Sequence, residues 1–176
     1  MNIRFTGFGG QGIILAGIIY GHAAVIDGKN AVQTQSYGSA SRGGACKCDV
    51  IISDEQIYEL EFPEPDVLVA LSQQAYDKYR PQLKEKGILI IDTDLVKTQE
   101  PQPAINCISA TDIAFKKFGR KIMANMIVLG YLTAQLGTLS KKAVKQAIRV
   151  HVPPETAELN IKAFDVGYRL RATTCK

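Results

Sequence analysis

The stretch Ile3-Arg4-Phe5-Thr6-Gly7-Phe8-Gly9-Gly10-Gln11-Gly12 decides the fold of this chain. Its β-branched and aromatic start predicts a short strand. An apolar run with Ala and Gly at intervals follows from Ile13 to Ile26, which is typical of a buried helix. The motif G-x-G-x-x-G therefore lies between a strand and a helix. There its three glycines allow a tight turn, close approach of a ligand, and close packing of helix on strand.

The remaining pattern alternates strands and helices and then becomes wholly helical. Near-continuous apolar runs at 66–71 and 88–92 predict buried parallel strands. Ser72 predicts the N-cap of a helix over 73–86, and 54–64 suggests a small hairpin or edge excursion. Further strands are expected at 31–35, 46–53 and 104–108, and further helices at 110–118, 121–137, 140–150 and 154–170.

These elements predict an α/β fold. We expect a single Rossmann-like open, mostly parallel sheet covered by helices on both faces. One domain is expected to span residues 1–176, with a helical C-terminal extension at about 109–171.

Composition indicates an ordinary globular protein, because 46% of the residues are hydrophobic and 22% are charged. The start of the chain has no signal-peptide pattern, and the longest apolar stretch, 122–136, is shorter than the roughly 20 residues of a membrane span. A cytoplasmic protein that does not bind membranes is expected.

Charge is distributed unevenly along the chain. Residues 1–96 carry 8 basic and 12 acidic side chains, whereas residues 97–176 carry 13 basic and 5 acidic ones. A basic helical half can face an acidic protein, a phosphorylated ligand or a nucleic acid, or can simply be solvated. We expect it to contribute to docking with protein partners, and we expect no nucleic acid partner.

The cysteines and histidines do not predict a metal site. None of Cys46, Cys48, Cys107 and Cys175 is in C-x-x-C spacing, so reduced thiols are expected. His22 and His151 stand apart in helical surroundings and are interpreted as ordinary helix residues.

The glycine motif favours a phosphate-bearing ligand, because the following helix directs N–H groups and the positive end of its dipole at the turn. NAD is disfavoured. It requires an acidic residue at the tip of the second strand, where this chain has Gln33 and Gln35, and Asp27 precedes that strand. No Lys-Ser or Lys-Thr follows Gly12, which excludes a P-loop. A tight turn with nothing bound stays an open alternative.

Two longer strings are more specific than the motif alone. They are Gly7–Gly17 and Thr34-Gln35-Ser36-Tyr37-Gly38-Ser39-Ala40-Ser41-Arg42-Gly43-Gly44. Together they resemble the gamma subunits, or fused gamma domains, of the 2-oxoacid:ferredoxin oxidoreductases. The strings 49–53, 65–68, 125–126 and 159–164 fit the same family. Many members have Pro and Glu where this chain has Ser39 and Ala40, so the loop lacks a rigid proline and a carboxylate that could pair with Arg42.

The resemblance implies a role in a hetero-oligomeric complex of anaerobic metabolism that converts a 2-oxoacid to an acyl-coenzyme A and reduces ferredoxin. In this family thiamine diphosphate, Mg²⁺ and iron–sulfur clusters belong to partner chains, here the alpha, beta and ferredoxin-like delta subunits. The chain has neither a Gly-Asp-Gly thiamine motif nor a cluster-binding run of cysteines. We therefore expect no catalytic residue and no metal ligand in it, and no activity of the isolated chain.

The resemblance also implies that the gamma subunit helps to bind or orient coenzyme A. The implied site residues are Gly7, Gly9, Gly10, Gln11, Gly12, Ser36, Tyr37, Gly38, Arg42 and Gly43. A guanidinium and a glycine loop can hold the phosphates of coenzyme A, and Tyr37 can pack on its adenine or pantetheine arm. Alternatively, Arg42 pairs with Asp49 or Asp54, and Tyr37 fills the edge of the core.

The substrate is less constrained. A short, separate gamma chain is most similar to 2-oxoglutarate complexes, so 2-oxoglutarate is favoured. Pyruvate, branched-chain 2-oxoacids and indolepyruvate stay open. A purely architectural subunit and a stand-alone nucleotide-binding oxidoreductase are the alternatives of a different class.

Overall fold

The computed structural model describes residues 1–37, 45–98 and 105–170. The strands are β1 (Asn2–Gly7), β2 (Asn30–Ser36), β3 (Cys46–Ser53), β4 (Val67–Ala70), β5 (Ile88–Asp92) and β6 (Ile105–Ile108). The α-helices are α1 (Ile13–Ile26), α2 (Gln73–Tyr79), α3 (Ala110–Phe118), α4 (Ala124–Leu136), α5 (Lys141–His151) and α6 (Pro154–Tyr168). Single 3₁₀ turns lie at Arg80–Gln82 and Lys121–Met123.

The strands form one sheet in the order β2-β3-β1-β4-β5-β6. β4 is parallel to β1 and β5, and β5 is parallel to β6, whereas β3 is antiparallel to both of its neighbours. Five of the six strands in this sheet therefore run in one direction. The predicted α/β fold with an open, mostly parallel sheet is confirmed, with the difference that β2 and β3 form an antiparallel hairpin.

Helices cover both faces of the sheet. The larger core lies where Ile3 and Phe5 of β1 meet α1, α4, α5 and α6, and the smaller core lies under α2. Every residue of α4 from 124 to 133 is buried, as expected for a helix that is apolar on all sides. Gly130 of α4 and Gly167 of α6 let these two helices cross closely, because a Cβ at either position would overlap the backbone of the other helix.

Two predicted elements differ from the structure. α2 ends at Tyr79 rather than at 86, since Pro81 cannot donate a helical hydrogen bond and forces a 3₁₀ turn. Of the two possibilities for 54–64, a hairpin or an edge excursion, the hairpin is wrong, because residues 54–66 form an irregular segment that crosses from β3 to β4. The four C-terminal helices begin and end within a few residues of their predicted positions, because Gly119, Gly137 and the Pro153-Pro154 pair mark the breaks.

His22 and His151 were expected to be separate from each other, but the structure brings them into contact. Nδ1 of His22 in α1 lies 2.9 Å from Nε2 of His151 at the end of α5. Periodicity within each helix cannot show this contact, since it depends on how α5 packs against α1. Reduced thiols are correct for Cys46 and Cys48 but wrong for Cys107, which is disulfide-bonded.

Residues 1–37, 45–98 and 105–170 contain neither a membrane-spanning helix nor a cluster of metal-ligand side chains. No helix in these ranges has both the length and the hydrophobicity to cross a membrane. The same ranges contain no group of three or more His, Cys, Asp or Glu side chains that could hold a metal ion.

Candidate functional site

The turn between β1 and α1 requires glycine at two positions for different reasons. Gly10 and Gly12 have φ angles of 88° and 75°, in the left-handed region that other residues rarely adopt. A Cβ on Gly12 would also overlap Nδ2 of Asn125 in α4, whereas a Cβ on Gly10 would meet nothing within 4 Å. Gly12 therefore serves helix packing, and Gly10 leaves the backbone open to a ligand.

Gln11 holds the turn in shape with both ends of its side-chain amide. Its Oε1 accepts from the N–H of Phe8 at 2.6 Å, and its Nε2 donates to the carbonyl of Leu71 at 2.8 Å. The second bond ties the turn to the end of β4. Gln11 was predicted as a ligand-binding residue, and the structure gives it a positioning role within the same turn.

The N-terminus of α1 is open to an anion. Its N-cap, Gly12, has no side chain to cap the helix, and the first turn contains no acidic residue. The N–H groups of a first helical turn have no acceptor within the helix, and the helix dipole is positive there. The first turn of α1 thus places no carboxylate where a bound anion would lie.

The hairpin brings the end of β2, and Tyr37 directly after it, to the same edge of the sheet as the glycine turn. Ser36 pairs with Lys47 next to the pairing of Gly7 with Cys46, so the ends of β1 and β2 lie at the same level. Tyr37 follows and shares a cavity of about 310 Å³ with the turn. The lining of this cavity includes Phe8, Gly9, Gly10, Gly12, Tyr37, Cys46, Ile122 and Asn125.

Tyr37 is 67% exposed, which excludes the alternative that it fills the edge of the core. Gly38, Arg42 and Gly43 lie outside the described residues. The two carboxylates considered as partners of Arg42 have partners of their own. Asp49 is buried against Arg4, and Asp54 pairs with Lys29.

A second cavity of about 280 Å³ lies on the other side of the turn. Gly10 and Gln11 form one wall, and the others come from the ends of β4 and β5 and from the start of α4. Sequence reasoning missed several of the residues around the two cavities, namely Leu71, Asp92, Leu95, Lys121, Ile122 and Asn125. For Leu71 and Asp92 a signal existed, because open α/β sheets bind ligands at the carboxyl ends of their parallel strands.

Asp92 is fully buried in the wall of the second cavity and caps α3. Its carboxylate accepts from the N–H groups of Asp94, Ala110 and Thr111, and from the hydroxyl of Thr111 at 2.6 Å. Burial raises the pKa of Asp92 to about 6, and the bonds from Thr111 and Asp94 oppose that shift. With so many donors already bound, Asp92 is a structural acceptor.

The geometry also counts against a dinucleotide site. Asp27 lies at the far end of α1, about 21 Å from the turn at 1.5 Å per residue. There its two oxygens accept from the N–H and the hydroxyl of Ser140. In a dinucleotide fold the second strand lies beside the first, whereas here β3 separates β2 from β1.

Comparison with known proteins identifies the family. Residues 2–170 match the model of the pyruvate ferredoxin/flavodoxin oxidoreductase family. The chain is 49% identical over 172 residues to the 2-oxoglutarate synthase subunit KorC of Methanocaldococcus jannaschii, which covers 96% of this chain and 92% of that protein. Neither match is consistent with a stand-alone nucleotide-binding oxidoreductase.

Solved structures agree with these matches. The crystal structure of a keto/oxoacid ferredoxin oxidoreductase gamma subunit from Geobacter sulfurreducens has a TM-score of 0.83, with 46% identity over 95% of both chains. A 2-oxoglutarate:ferredoxin oxidoreductase from Magnetococcus marinus shares the fold at a TM-score of 0.84. It is 23% identical, and the match covers all of this chain and 33% of that one. The chain therefore belongs to the pyruvate ferredoxin/flavodoxin oxidoreductase family and is the gamma subunit of a 2-oxoacid:ferredoxin oxidoreductase, an enzyme complex of several subunits.

Proposed function

We propose that this chain binds and orients coenzyme A at the carboxyl edge of its sheet, in a complex that oxidises 2-oxoglutarate to succinyl-coenzyme A. The observation that carries the proposal is the cavity shared by Tyr37 and the glycine turn at the uncapped start of α1. A backbone cradle for phosphate and an exposed aromatic ring suit the two chemically different ends of coenzyme A.

The phosphates of coenzyme A bind at the turn. Gly9 and Gly10 leave the backbone accessible, since a Cβ on Gly9 would meet only Cys46 Sγ, at 3.9 Å. Gly7, Gln11 and Gly12 hold the turn, while the first N–H groups of α1 face the phosphate. Ser36 at the end of β2 contributes to the same site, together with Gly38, Arg42 and Gly43, which follow it in the sequence. In the proposal the guanidinium of Arg42 makes a charge-assisted contact with a phosphate.

The rest of the reaction belongs to other subunits. Thiamine diphosphate with Mg²⁺, held by the alpha and beta subunits, would supply the chemistry of decarboxylation. Iron–sulfur clusters, including those of a ferredoxin-like delta subunit, would carry the two electrons of the oxidation to ferredoxin, and the coenzyme A thiol would receive the acyl group. This chain contributes neither a catalytic residue nor a metal ligand in the proposal. It holds the acyl acceptor in place.

The choice of 2-oxoglutarate rests on relatives. The Methanocaldococcus jannaschii protein is a subunit of 2-oxoglutarate synthase. The fold also occurs in a 2-oxoglutarate:ferredoxin oxidoreductase whose solved structure holds 2-oxoglutarate, coenzyme A and succinyl-CoA. Assay of the assembled complex with 2-oxoglutarate, pyruvate, a branched-chain 2-oxoacid and indolepyruvate tests the choice. A higher kcat/KM for any of the other three would overturn it.

Arg42→Ala tests the coenzyme A site. A charge-assisted bond to phosphate contributes roughly 1.5–3 kcal/mol, so the KM for coenzyme A should rise about ten- to a hundredfold. Exchange of labelled CO₂ into the 2-oxoacid, which does not consume coenzyme A, should be unchanged. Arg42→Lys should recover only part of the affinity, because it keeps the charge without the planar fork.

Arg149→Ala is the matched control, since Arg149 is exposed, pairs with Glu158 and lines neither cavity beside the turn. Tyr37→Ala should raise the same KM without affecting CO₂ exchange. If both site variants assemble and use coenzyme A like the control, the subunit is architectural and the proposal fails.

A further inference from the structure

The segment 54–66 lies at the edge of the sheet opposite to the glycine turn. It follows the end of β3 and precedes the start of β4, which is also the level at which β1 begins. Although irregular, it is held firmly. Arg4 donates from Nη2 to the carbonyl of Phe62 at 3.2 Å and lies 5.1 Å from the centre of the Phe62 ring. Asn30 donates to the carbonyl of Glu55 at 3.1 Å.

This segment presents large apolar side chains to solvent. Tyr58 is 82% exposed and Leu60 is 64% exposed, although Phe62 two positions later is buried. Beside Tyr58 lies a groove of about 270 Å³, lined by Met1, Ile52, Ile57, Glu59 and other residues. A rigid segment that exposes an aromatic ring and a leucine beside a groove resembles the anchor region of a protein interface.

The same segment is strongly acidic. Residues 54–66 contain six carboxylates and no Lys or Arg. Asp54 pairs with Lys29 and Asp66 pairs with Lys84. Glu55, Glu59, Glu61 and Glu64 form no ion pair within the described part of the chain, and all four are exposed.

We propose that segment 54–66 is the docking surface for another subunit of the oxidoreductase, one that presents Lys or Arg side chains around an apolar contact. The four unpaired glutamates are complementary to Lys or Arg side chains, and Tyr58 and Leu60 are complementary to an apolar contact. A symmetric pair of copies of this chain does not meet these needs, because a two-fold interface would place the acidic segments against each other. The inference does not depend on coenzyme A binding, since the glycine turn lies at the other edge of the sheet.

Two double variants test the surface in complexes reconstituted on a tagged partner subunit. Tyr58→Ser with Leu60→Ser removes the apolar anchors, and Glu59→Lys with Glu61→Lys reverses the charge. Association should weaken about tenfold or more for the first variant, as for interface anchors. The charge-reversal variant should bind more weakly and should lose much of the salt dependence of wild type.

Val150→Ser and Glu85→Lys are matched controls, because Val150 is 60% exposed and Glu85 is also exposed, and neither lies in the segment. Circular dichroism melting should be the same for all four variants. Assembly of both double variants at control affinity would overturn the inference. So would self-association of the wild-type chain that the same substitutions abolish, since that result would make a second copy the occupant.

Discussion

Nδ1 of His22 lies 2.9 Å from Nε2 of His151, and this contact joins helices α1 and α5 across 129 positions of sequence. The rings meet edge to face, with their centres 4.9 Å apart. One nitrogen can accept the other's proton only while its ring is neutral. Burial, and then the proximity of His22, lowers the pKa of His151.

We expect acid to weaken this contact. A base whose pKa is lower in the folded state than in the unfolded state binds fewer protons when folded. The contribution of the contact to stability is fully present above the unfolded-state pKa of about 6.5. It is lost as the pH falls through the lower pKa of His151 in the folded state. The free energy of unfolding, measured in urea at pH 7.5, 6.5 and 5.5, should fall more for wild type than for His151→Gln. Parallel decreases in the two proteins would contradict the prediction.

Asp92 titrates in the same pH range, but its effect on stability has the opposite dependence on pH. Because burial raises its pKa to about 6, the folded state binds more protons than the unfolded state, and its contribution grows as the pH falls. Wild type and His151→Gln both contain Asp92, so the difference between them isolates the histidine pair. The chain has only two histidines, so no other imidazole contributes.

A second prediction concerns the buried ion pair between Arg4 and Asp49, on the face of the sheet that α2 covers. Arg4 Nε and Nη2 lie 2.7 and 2.9 Å from the two oxygens of Asp49, and both residues are about 2% exposed. Removing one partner of a buried pair leaves an uncompensated charge. Arg4→Met should lower the free energy of unfolding by about 3 kcal/mol, the lower end of the range for breaking a buried ion pair. The loss is not larger because Lys47 still contacts Asp49 at 3.0 Å.

The paired variant Arg4→Met with Asp49→Leu should recover much of this loss, since it removes both charges. Lys29→Ala is the comparison for an exposed pair, because Asp54 is largely exposed, and it should cost less than 1 kcal/mol. Urea unfolding of all four proteins gives the measurement. An Arg4→Met effect no larger than that of Lys29→Ala would show that the buried pair does not stabilise the fold.

Local sequence signals predicted most of the fold. Gly7, Gly9 and Gly12 located the turn, and Gly119 and Gly137 located the ends of α3 and α4, because the backbone conformation at such points depends on residue type. The order and direction of the strands could not be predicted from these local signals. The antiparallel β3 between β2 and β1 depends on a hairpin whose connection contains several small residues that fit many turns.

The site was only partly predictable for the same reason. Tyr37 and the glycine turn were both named as site residues from the sequence, and they line one cavity. Asn125 and Lys121 reach that edge only because α4 packs across the sheet. The sequence separation between Gly12 and Asn125 gives no indication of their contact. Contacts that depend on how distant helices pack were missed, as the pair of His22 and His151 also illustrates.

Substitutions of Gly10 and Gly12, which lie in one turn, distinguish the cost of a strained backbone conformation from the cost of a steric overlap. Gly10→Ala should lower the free energy of unfolding by about 1–2 kcal/mol, the cost of a left-handed residue with free space around it. Gly12→Ala should cost clearly more, because its Cβ would also overlap Asn125. Adding Asn125→Ala should reduce the excess cost of Gly12→Ala and should not help Gly10→Ala. Equal costs at the two positions in urea unfolding would contradict the argument.

The last prediction concerns the basic half of the chain, which the structure divides into two groups. Lys141 and Lys145 both pair with Asp165, which neutralises part of their charge. Lys117, Arg120 and Lys121 are exposed and form no ion pair within the described residues, and Lys121 lines the second cavity.

We expect the second group to mediate docking with a partner subunit or with acidic ferredoxin. The triple variant Lys117→Ala, Arg120→Ala, Lys121→Ala should weaken association at low salt and flatten its dependence on salt, because exposed charges are screened over about 10 Å at 0.1 M. Lys141→Ala with Lys145→Ala should change neither quantity appreciably. Binding to the reconstituted complex and to ferredoxin is measured from about 0.03 to 0.5 M salt. If wild-type association does not vary with salt, the basic helices are only solvated and the prediction is wrong.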